Sequence, residues 1–347
     1  MHIQSFAAQH FRNLARAELT PCPGVNVIFG ENGQGKTSLL EAIWLFTGCR
    51  SFRCPDSKQL ISEGHDRSLL ATSFISNERE QSASLEITAR RVLTLNGFPQ
   101  ETPRRMLGVF PAVAFTPATL SIAQGGPGER RRFLDVALSM LTPAYAVRLS
   151  KYLKALAQRN ALLRQQSPNL DLLDTWDQTL AHHAVDLTAA RLRYLEQLIP
   201  IAIDFYAGIS ASREQFGIEV QCTGHDYAKS RETDLRRQTT TVGPHRDDLT
   251  LTLNNRSLRD FGSQGQQRSA ALALKLAEAT VLRETTGECP IALLDDVLSE
   301  LDSRRQSDLL RYLDGWQVFL TCCEPSHALH GRAGRVFCVT NGNITPQ

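Results

Sequence analysis

Over roughly the first 100 residues the apolar positions come in short runs broken by turn residues, which is the pattern of strands. Val25–Phe29 is a mostly apolar run that stops at Gly30. Residues 85–95 alternate loosely and stop at Asn96-Gly97. That pair suits a tight hairpin, because both central positions of the favoured turn need positive φ. One amphipathic stretch interrupts the strands and predicts a helix from Thr37 to about Phe46.

The period becomes helical near Gly128 and stays so to Ser212, and glycine becomes scarce. Leu149, Leu153, Leu156 and Leu163 form one stripe; Leu173, Trp176, Leu180, Leu187, Tyr194 and Leu198 form another. Pro143, Pro168 and Pro200 punctuate these helices, and Pro143 is placed to start one. The longest stripe spans about four heptads, too short for a long coiled-coil arm. Beyond Val242 strand and helix alternate again: a strand at 250–253, a helix at 266–283, and buried strands at Ile291–Asp295 and 318–321 with a helix between them.

At 347 residues, 42% of them hydrophobic, the chain can bury two cores or one core with a large insertion. A net charge of +2 does not mark a nucleic-acid binder, so any such site must come from local clusters of arginine. The eight cysteines form no C-x-x-C pair and read as reduced thiols of a cytosolic protein, not zinc ligands or disulfides. Neither a secretory signal nor a transmembrane helix is expected.

The strongest local chemistry is Gly30-Glu31-Asn32-Gly33-Gln34-Gly35-Lys36-Thr37, a G-x-x-x-x-G-K-[ST] loop between a predicted strand and a predicted helix. Glycines let backbone N–H groups curl around phosphate oxygens, and the helix N-terminus adds partial positive charge. All eight residues are expected to line ATP, with Lys36 on the β- and γ-phosphates and the Thr37 hydroxyl on Mg²⁺. A second motif, Ile291–Asp295 followed by Asp296, is an apolar run ending in two carboxylates. Alone it is a common strand end. Beside a phosphate loop it is a Walker B arrangement, with Asp295 holding Mg²⁺ through water and Asp296 orienting or deprotonating the attacking water. Lys36, Asp295 and Asp296 form the expected catalytic set.

Most of the chain separates these motifs, the habit of ABC-type heads in which a helical lobe interrupts the sheet. Ser263-Gln264-Gly265-Gln266-Gln267-Arg268 opens a helical run and resembles the ABC signature, although Ser263 alone would pass as an ordinary N-cap. Ser263 and Gly265 therefore join the expected nucleotide set. Ser299-Glu300-Leu301-Asp302 resembles the D-loop of that class. The expected fold is α/β, a P-loop ABC-type ATPase head with a mixed sheet and an inserted all-helical lobe. Residues 1–120 would form the first part of the ATPase lobe and 121–241 the helical lobe. Residues 242–347 would complete the head.

Further segments narrow the match. They are Phe11-Arg12-Asn13-Leu14, Gly125-Gly126-Pro127-Gly128-Glu129-Arg130-Arg131-Arg132-Phe133-Leu134-Asp135, Gln158-Arg159-Asn160 with Trp176-Asp177, and Gly243-Pro244-His245-Arg246-Asp247-Asp248-Leu249. In these, and in order along essentially its whole length, the chain resembles the RecF family. The resemblance implies an ATP-dependent DNA-binding protein of recombinational repair and replication. In such a protein ATP is sandwiched in a homodimer, Ser263 of one copy meeting the γ-phosphate held by the other. It also implies binding to single-stranded and gapped DNA and junctions without base readout, and slow DNA-stimulated ATP hydrolysis. RecO and RecR are the implied partners in loading recombinase and supporting the SOS response.

Two departures matter. Thr116-Pro117-Ala118-Thr119-Leu120 stands where the family often has a Pro-Glu segment, so no Q-loop residue is assigned. Thr321-Cys322-Cys323-Glu324 lacks the switch histidine of transporters, which argues against a transporter subunit. A small-molecule phosphotransferase would leave the signature and D-loop without a job. Asp295 and Asp296 argue against a non-hydrolysing scaffold.

Candidate DNA-phosphate contacts are Arg104, Arg105, Arg131, Arg148, Lys151 and Lys154, the last three sharing a helix face. The competing reading for each is a solvated face or an internal salt bridge, Arg131 and Arg132 being able to brace the lobe through Asp135. His245 either touches DNA or nucleotide or braces its turn.

Overall fold

A computed structural model describes residues 1–54, 56–211, 213–324 and 333–347. Its strands are His2–Phe11 (β1), Leu14–Leu19 (β2), Val25–Phe29 (β3), Ser68–Ser76 (β4), Arg79–Ile87 (β5), Arg91–Leu95 (β6), Phe98–Gln100 (β7), Ala112–Phe115 (β8), Phe216–Gln221 (β9), Asp248–Leu253 (β10), Arg256–Ser257 (β11), Ile291–Asp295 (β12), Val318–Cys322 (β13), Ala333–Thr340 (β14) and Asn343–Pro346 (β15). Its α-helices are Lys36–Trp44 (α1), Ser121–Gln124 (α2), Pro127–Leu141 (α3), Pro143–Leu163 (α4), Leu170–Ser210 (α5), Tyr227–Arg237 (α6), Leu258–Phe261 (α7), Gln264–Thr286 (α8) and Ser303–Tyr312 (α9). They fall into two compact units, Met1–Thr119 with Glu278–Gln347, and Leu120–Ala277.

In the first unit the described strands form one mixed sheet in the order β7-β6-β5-β4-β1-β2-β15-β14-β3-β13-β12-β8. The antiparallel half keeps one face buried, so β4 alternates and turns Leu70 and Phe74 inward. The Asn96-Gly97 hairpin forms as expected, with φ +51 and +82. The 85–95 stretch divides into β5 and β6, closed by a turn in which the Thr88 amide donates to the Arg90 carbonyl at 2.8 Å. In the parallel half β14, β3, β13, β12 and β8 lie side by side. β12 and β13 are buried at every position, which is why they read as apolar runs up to Asp295 and Thr321 near their carboxyl ends. Because β3, β13 and β12 run in one direction, their carboxyl ends deliver Gly30, Thr321 and Asp295 to one edge. Open parallel sheets place their ligands there. α1 follows the first of these ends and is buried along most of its length.

The second unit is helical in its bulk and also carries an antiparallel sheet, β11-β10-β9. β10 pairs with β9 from Asp248↔Gln221 to Leu253↔Phe216, so residues 242–277 stay in this unit, and only 278–347, not the expected 242–347, complete the first. The start of α8 is held there too: Gln267 donates to the Leu258 and Arg259 carbonyls at 3.2 Å, and Gln266 donates to Glu214 at 2.6 Å. Pro143 opens α4 as expected. Pro200 does not end a helix; α5 runs through it for 41 residues. An internal proline loses one backbone bond and costs about 3 kcal/mol. Pro200 is exposed, so water reaches the freed carbonyl, while Leu195, Leu198, Ala202 and Tyr206 bury the opposite face on both sides of it.

The family-like blocks form the polar interior of this unit. Arg159, fully buried, donates to Asp177 at 2.5 Å, Asp234 at 2.7 Å and Thr240 at 2.9 Å. Arg130 clasps Asp248 with two bonds of 2.8 and 2.9 Å. Arg191 donates to Asp135 at 2.8 Å, and Tyr145 donates to the same carboxylate at 2.5 Å. Buried ions persist only when paired and hydrogen-bonded, and here each one is.

No described helix is long and apolar enough to cross a membrane. All eight cysteines are free thiols.

Candidate functional site

The phosphate loop leaves β3 at Gly30 with φ +152, and a side chain there would lie 2.4 Å from the Val339 carbonyl oxygen. Only glycine fits such a close approach. Lys36 opens α1, and its Nζ donates to the Gly30 carbonyl at 2.5 Å and the Glu31 carbonyl at 3.0 Å. The ammonium is thus fixed across the loop it belongs to. Thr37 Oγ1 donates to Asp295 Oδ1 at 2.8 Å, and Thr321 Oγ1 donates to the same oxygen at 3.0 Å. The Asp296 amide in turn donates to Thr321 Oγ1 at 2.9 Å. Asp296 has φ +53, a costly backbone for a non-glycine residue, which that bond helps to hold. Burial pushes the Asp295 carboxyl above the ordinary range, against the two hydroxyl donors that favour its charge.

These groups open on a cleft of about 490 Å³, lined among others by Arg12, Asn13, Ser38 and Arg53. The Phe11-Arg12-Asn13-Leu14 block acquires a role here that its local pattern does not announce. Asn13 donates to the Gly33 carbonyl at 2.6 Å and accepts from Ser38 Oγ at 2.7 Å, tying loop to helix. Arg12 makes two bonds, 3.0 and 2.8 Å, to Glu41, a fully buried carboxylate on α1. Ser51 also donates to Glu41, and Arg53 Nη1 lies 3.5 Å from it. Burial opposes the charge on Arg12, and the Glu41 carboxylate more than restores it, leaving the guanidinium above its ordinary value. At the loop's outer side Gln34 accepts from the Asn341 amide at 2.6 Å, and Cys323 Sγ donates to Asn32 Oδ1 at 3.2 Å. Gly35 completes the loop as the residue before α1.

This donor set fits a triphosphate and a hard cation. The loop curls on positive-φ glycines, a buried ammonium spans it, and a hydroxyl and a carboxylate stand together as oxygen ligands.

Ser263 accepts from the Gln266 amide at 3.3 Å, and Gln266 Oε1 accepts from the Ser263 amide at 2.6 Å, a reciprocal capping box. Ser263 is exposed and Gly265 half-buried, so the cap leaves the start of α8 open to solvent. In the D-loop segment Ser299 donates to the Asp296 carbonyl at 2.7 Å, and Asp302 caps α9 through the Arg305 amide at 3.0 Å.

The basic residues divide. Arg131 donates to the Asp247 carbonyl at 2.8 Å, and burial together with nearby Arg191 holds it below its ordinary value. It braces the second unit, although Asp135 itself pairs with Arg191. Arg148 pairs with Asp186 at 2.6 Å. Lys151 and Lys154 are exposed on α4, and Arg104 and Arg105 are exposed in the first unit. None of these four has an ion pair among the described residues. His245 is a brace: its Nε2 faces the Thr240 carbonyl at 3.1 Å and its Nδ1 faces the Tyr152 hydroxyl at 2.7 Å. A carbonyl needs a donor, so the proton sits on Nε2 and Tyr152 donates to Nδ1. Burial lowers its pKa to about 4, and the ring is neutral.

Fold and loop together define a P-loop ATPase of the ABC and SMC head class. An SMC head bound to the C-terminal winged-helix domain of ScpA superposes with a TM-score of 0.61 at 15% identity, over all of this chain and 97% of that one, a likeness of fold alone. A family profile described as an AAA domain matches residues 5–102. The DNA replication and repair protein RecF of Agathobacter rectalis is 34% identical over 99% of both chains. A structure of the recombination mediator protein RecF with ATP superposes with a TM-score of 0.92 at 33% identity, over all of this chain and 97% of that one. The chain belongs to the RecF family of DNA replication and repair proteins.

Proposed function

We propose that this protein is an ATP-switched DNA clamp of recombinational repair, working as a dimer at single-stranded gaps and junctions in the cytoplasm, alongside RecO and RecR. The observation that carries the reading is Thr37, Asp295 and Thr321, joined by bonds of 2.8 and 3.0 Å at one sheet edge of a RecF-family chain, beside a loop that Lys36 spans at 2.5 Å from the Gly30 carbonyl. Loop N–H groups and Lys36 take the triphosphate. Mg²⁺, held by Thr37 and Asp295, supplies positive charge that offsets the phosphate charge. Burial biases Asp295 toward its neutral form, and a bound cation reverses that bias. Asp296 orients or deprotonates the attacking water. The exposed Ser263 at the start of α8 completes the nucleotide site of a second copy. A short Asp296 and the absence of a histidine at Thr321-Cys322-Cys323-Glu324 suit slow hydrolysis, and the family resemblance supports its stimulation by DNA. Recombinase loading and support of the SOS response would follow from where such a clamp is placed.

The test is light scattering with ATP, with and without gapped DNA, for the parent beside Ser263→Arg and Lys36→Arg. The parent dimerises on ATP. Ser263→Arg binds ATP and stays monomeric, and Lys36→Arg keeps some ATP binding but hydrolyses less. A parent that stays monomeric with ATP at micromolar concentration refutes the clamp.

A further inference from the structure

The first unit carries a group of cations with no counter-ion among the described residues. The Arg91 guanidinium donates to the Cys49 carbonyl at 3.3 Å, which sets it beside Arg50. Gly48 has φ +80, and a Cβ there would lie 2.7 Å from the Pro103 carbonyl and 3.4 Å from the Arg104 Cα. That close approach brings the 103–106 turn, with Arg104 on it, against the same 48–50 segment. Arg50 and Arg104 are exposed and Arg91 is half-buried, and none has an ion pair among the described residues. Burial, and the like charges of Arg50 and Arg104, hold Arg91 below its ordinary value. The backbone beneath the group is fixed. Trp44 Nε1 donates to the Arg50 carbonyl at 2.9 Å, and the Cys49 amide donates to Thr47 Oγ1 at 3.1 Å.

Three like charges brought together on a stiff frame repel one another, a cost that an anion offsets. Arginine's planar fork matches phosphate oxygens and stays charged when partly buried, as lysine does not. The group also stands at the far end of α1 from the phosphate loop, a helix of nine residues, about 14 Å long at 1.5 Å per residue.

We propose that Arg50, Arg91 and Arg104 form a subsite for the phosphodiester backbone of DNA, joined to the nucleotide loop through α1. This rests on the DNA-clamp reading and adds where on the first unit the backbone is held. It predicts sequence-independent binding with a salt signature.

The experiment is fluorescence anisotropy of labelled duplex DNA with the ATP-bound full chain, repeated across NaCl concentrations. Arg50→Gln/Arg104→Gln should reduce the slope of log K against log salt by about 0.9 for each phosphate that is no longer neutralised, and weaken binding roughly fivefold for each such phosphate at 0.15 M salt. ATP affinity, read with a fluorescent analogue, should not change, which certifies the fold. Arg50→Lys/Arg104→Lys should keep the slope and lose part of the affinity. Parent-like slope and affinity in the Gln pair overturn the subsite. So does a Gln pair that binds DNA normally but loses a polyglutamate peptide that the parent binds, which would make the ligand an acidic protein. A parent that binds no DNA with ATP shows a flat profile before any substitution, and that outcome fails the clamp reading together with the subsite.

Discussion

Replacing Arg12 by Met tests whether the buried carboxylate on α1 depends on the Phe11-Arg12-Asn13-Leu14 block. Arg12 is the main counter-charge of Glu41, whose side chain is 0% exposed against 16% for the arginine. Arg12 has φ +55, and methionine bears much the same left-handed backbone cost, so the substitution isolates the charge. Breaking a buried pair from one side costs about 3–5 kcal/mol. Ser51 still donates, and Arg53 stays 3.5 Å away, though its side chain is 44% exposed. These remaining partners place the loss at the low end, about 3 kcal/mol. For a unit of this size each kcal/mol lowers Tm by about 2–4 °C, so thermal unfolding followed by circular dichroism should drop by roughly 6–12 °C. Arg12→Met/Glu41→Gln removes the stranded charge as well and should recover most of that loss, because replacing both partners of a buried pair is far milder than removing one. A double variant that melts no higher than Arg12→Met would refute the assignment of the loss to an unpaired Glu41.

Two further outcomes follow from titration. Asp295 has its folded pKa raised, so its contribution to stability is full below the ordinary carboxylate value and is lost as pH rises through the folded value. At neutral pH it is a net cost without nucleotide, and Asp295→Asn should melt above the parent at pH 7 and converge with it in acid, while losing ATP turnover; a lower melting point at pH 7 counts against this. His245 goes the other way: with a folded pKa of about 4 against about 6.5 unfolded, it contributes about 3 kcal/mol above pH 6.5 and loses it as pH falls through 4. His245→Gln should flatten the acid limb of stability measured by denaturant unfolding between those values, and an unchanged limb would remove His245 as its source.

What could be read directly from the sequence was chemistry carried by contiguous residues. The phosphate loop is eight successive positions between a strand and a helix, so its spacing alone gives its job. β12 and β13 read as apolar runs because both faces are covered, and Asn96-Gly97 marks its hairpin because the backbone there demands positive φ. What stayed hidden depends on partners far along the chain. Thr321 reaches Asp295 across 26 positions, and Arg12 reaches Glu41 across 29. No periodicity encodes either pairing. The strand at 250–253 is legible and forms β10, but its partner β9 follows a long helical pattern, so the sheet they build in the second unit is not. Pro200 misled because burial on the opposite face of α5 outweighed a local rule.

The arginines sharpen the point, because their sequence context is alike and their roles are not. Arg130 and Arg131 stand in one run of three, yet both are spent inside the second unit, on Asp248 and on the Asp247 carbonyl. Arg148 shares its helix face with Lys151 and Lys154, yet it alone of the three pairs with a carboxylate, Asp186, among the described residues. Arg50 stands outside the basic runs, and Arg91, next to Arg90, lies in a segment with strand periodicity that gives no sign of a phosphate site. Arg104 does stand out, through its neighbour Arg105. Only the fold reveals that Arg50, Arg91 and Arg104 converge with no carboxylate among the described residues to answer them. A run of basic residues therefore says little about phosphate binding until the acids it meets are known, since a guanidinium already bonded twice to Asp248 has little left to offer a DNA strand.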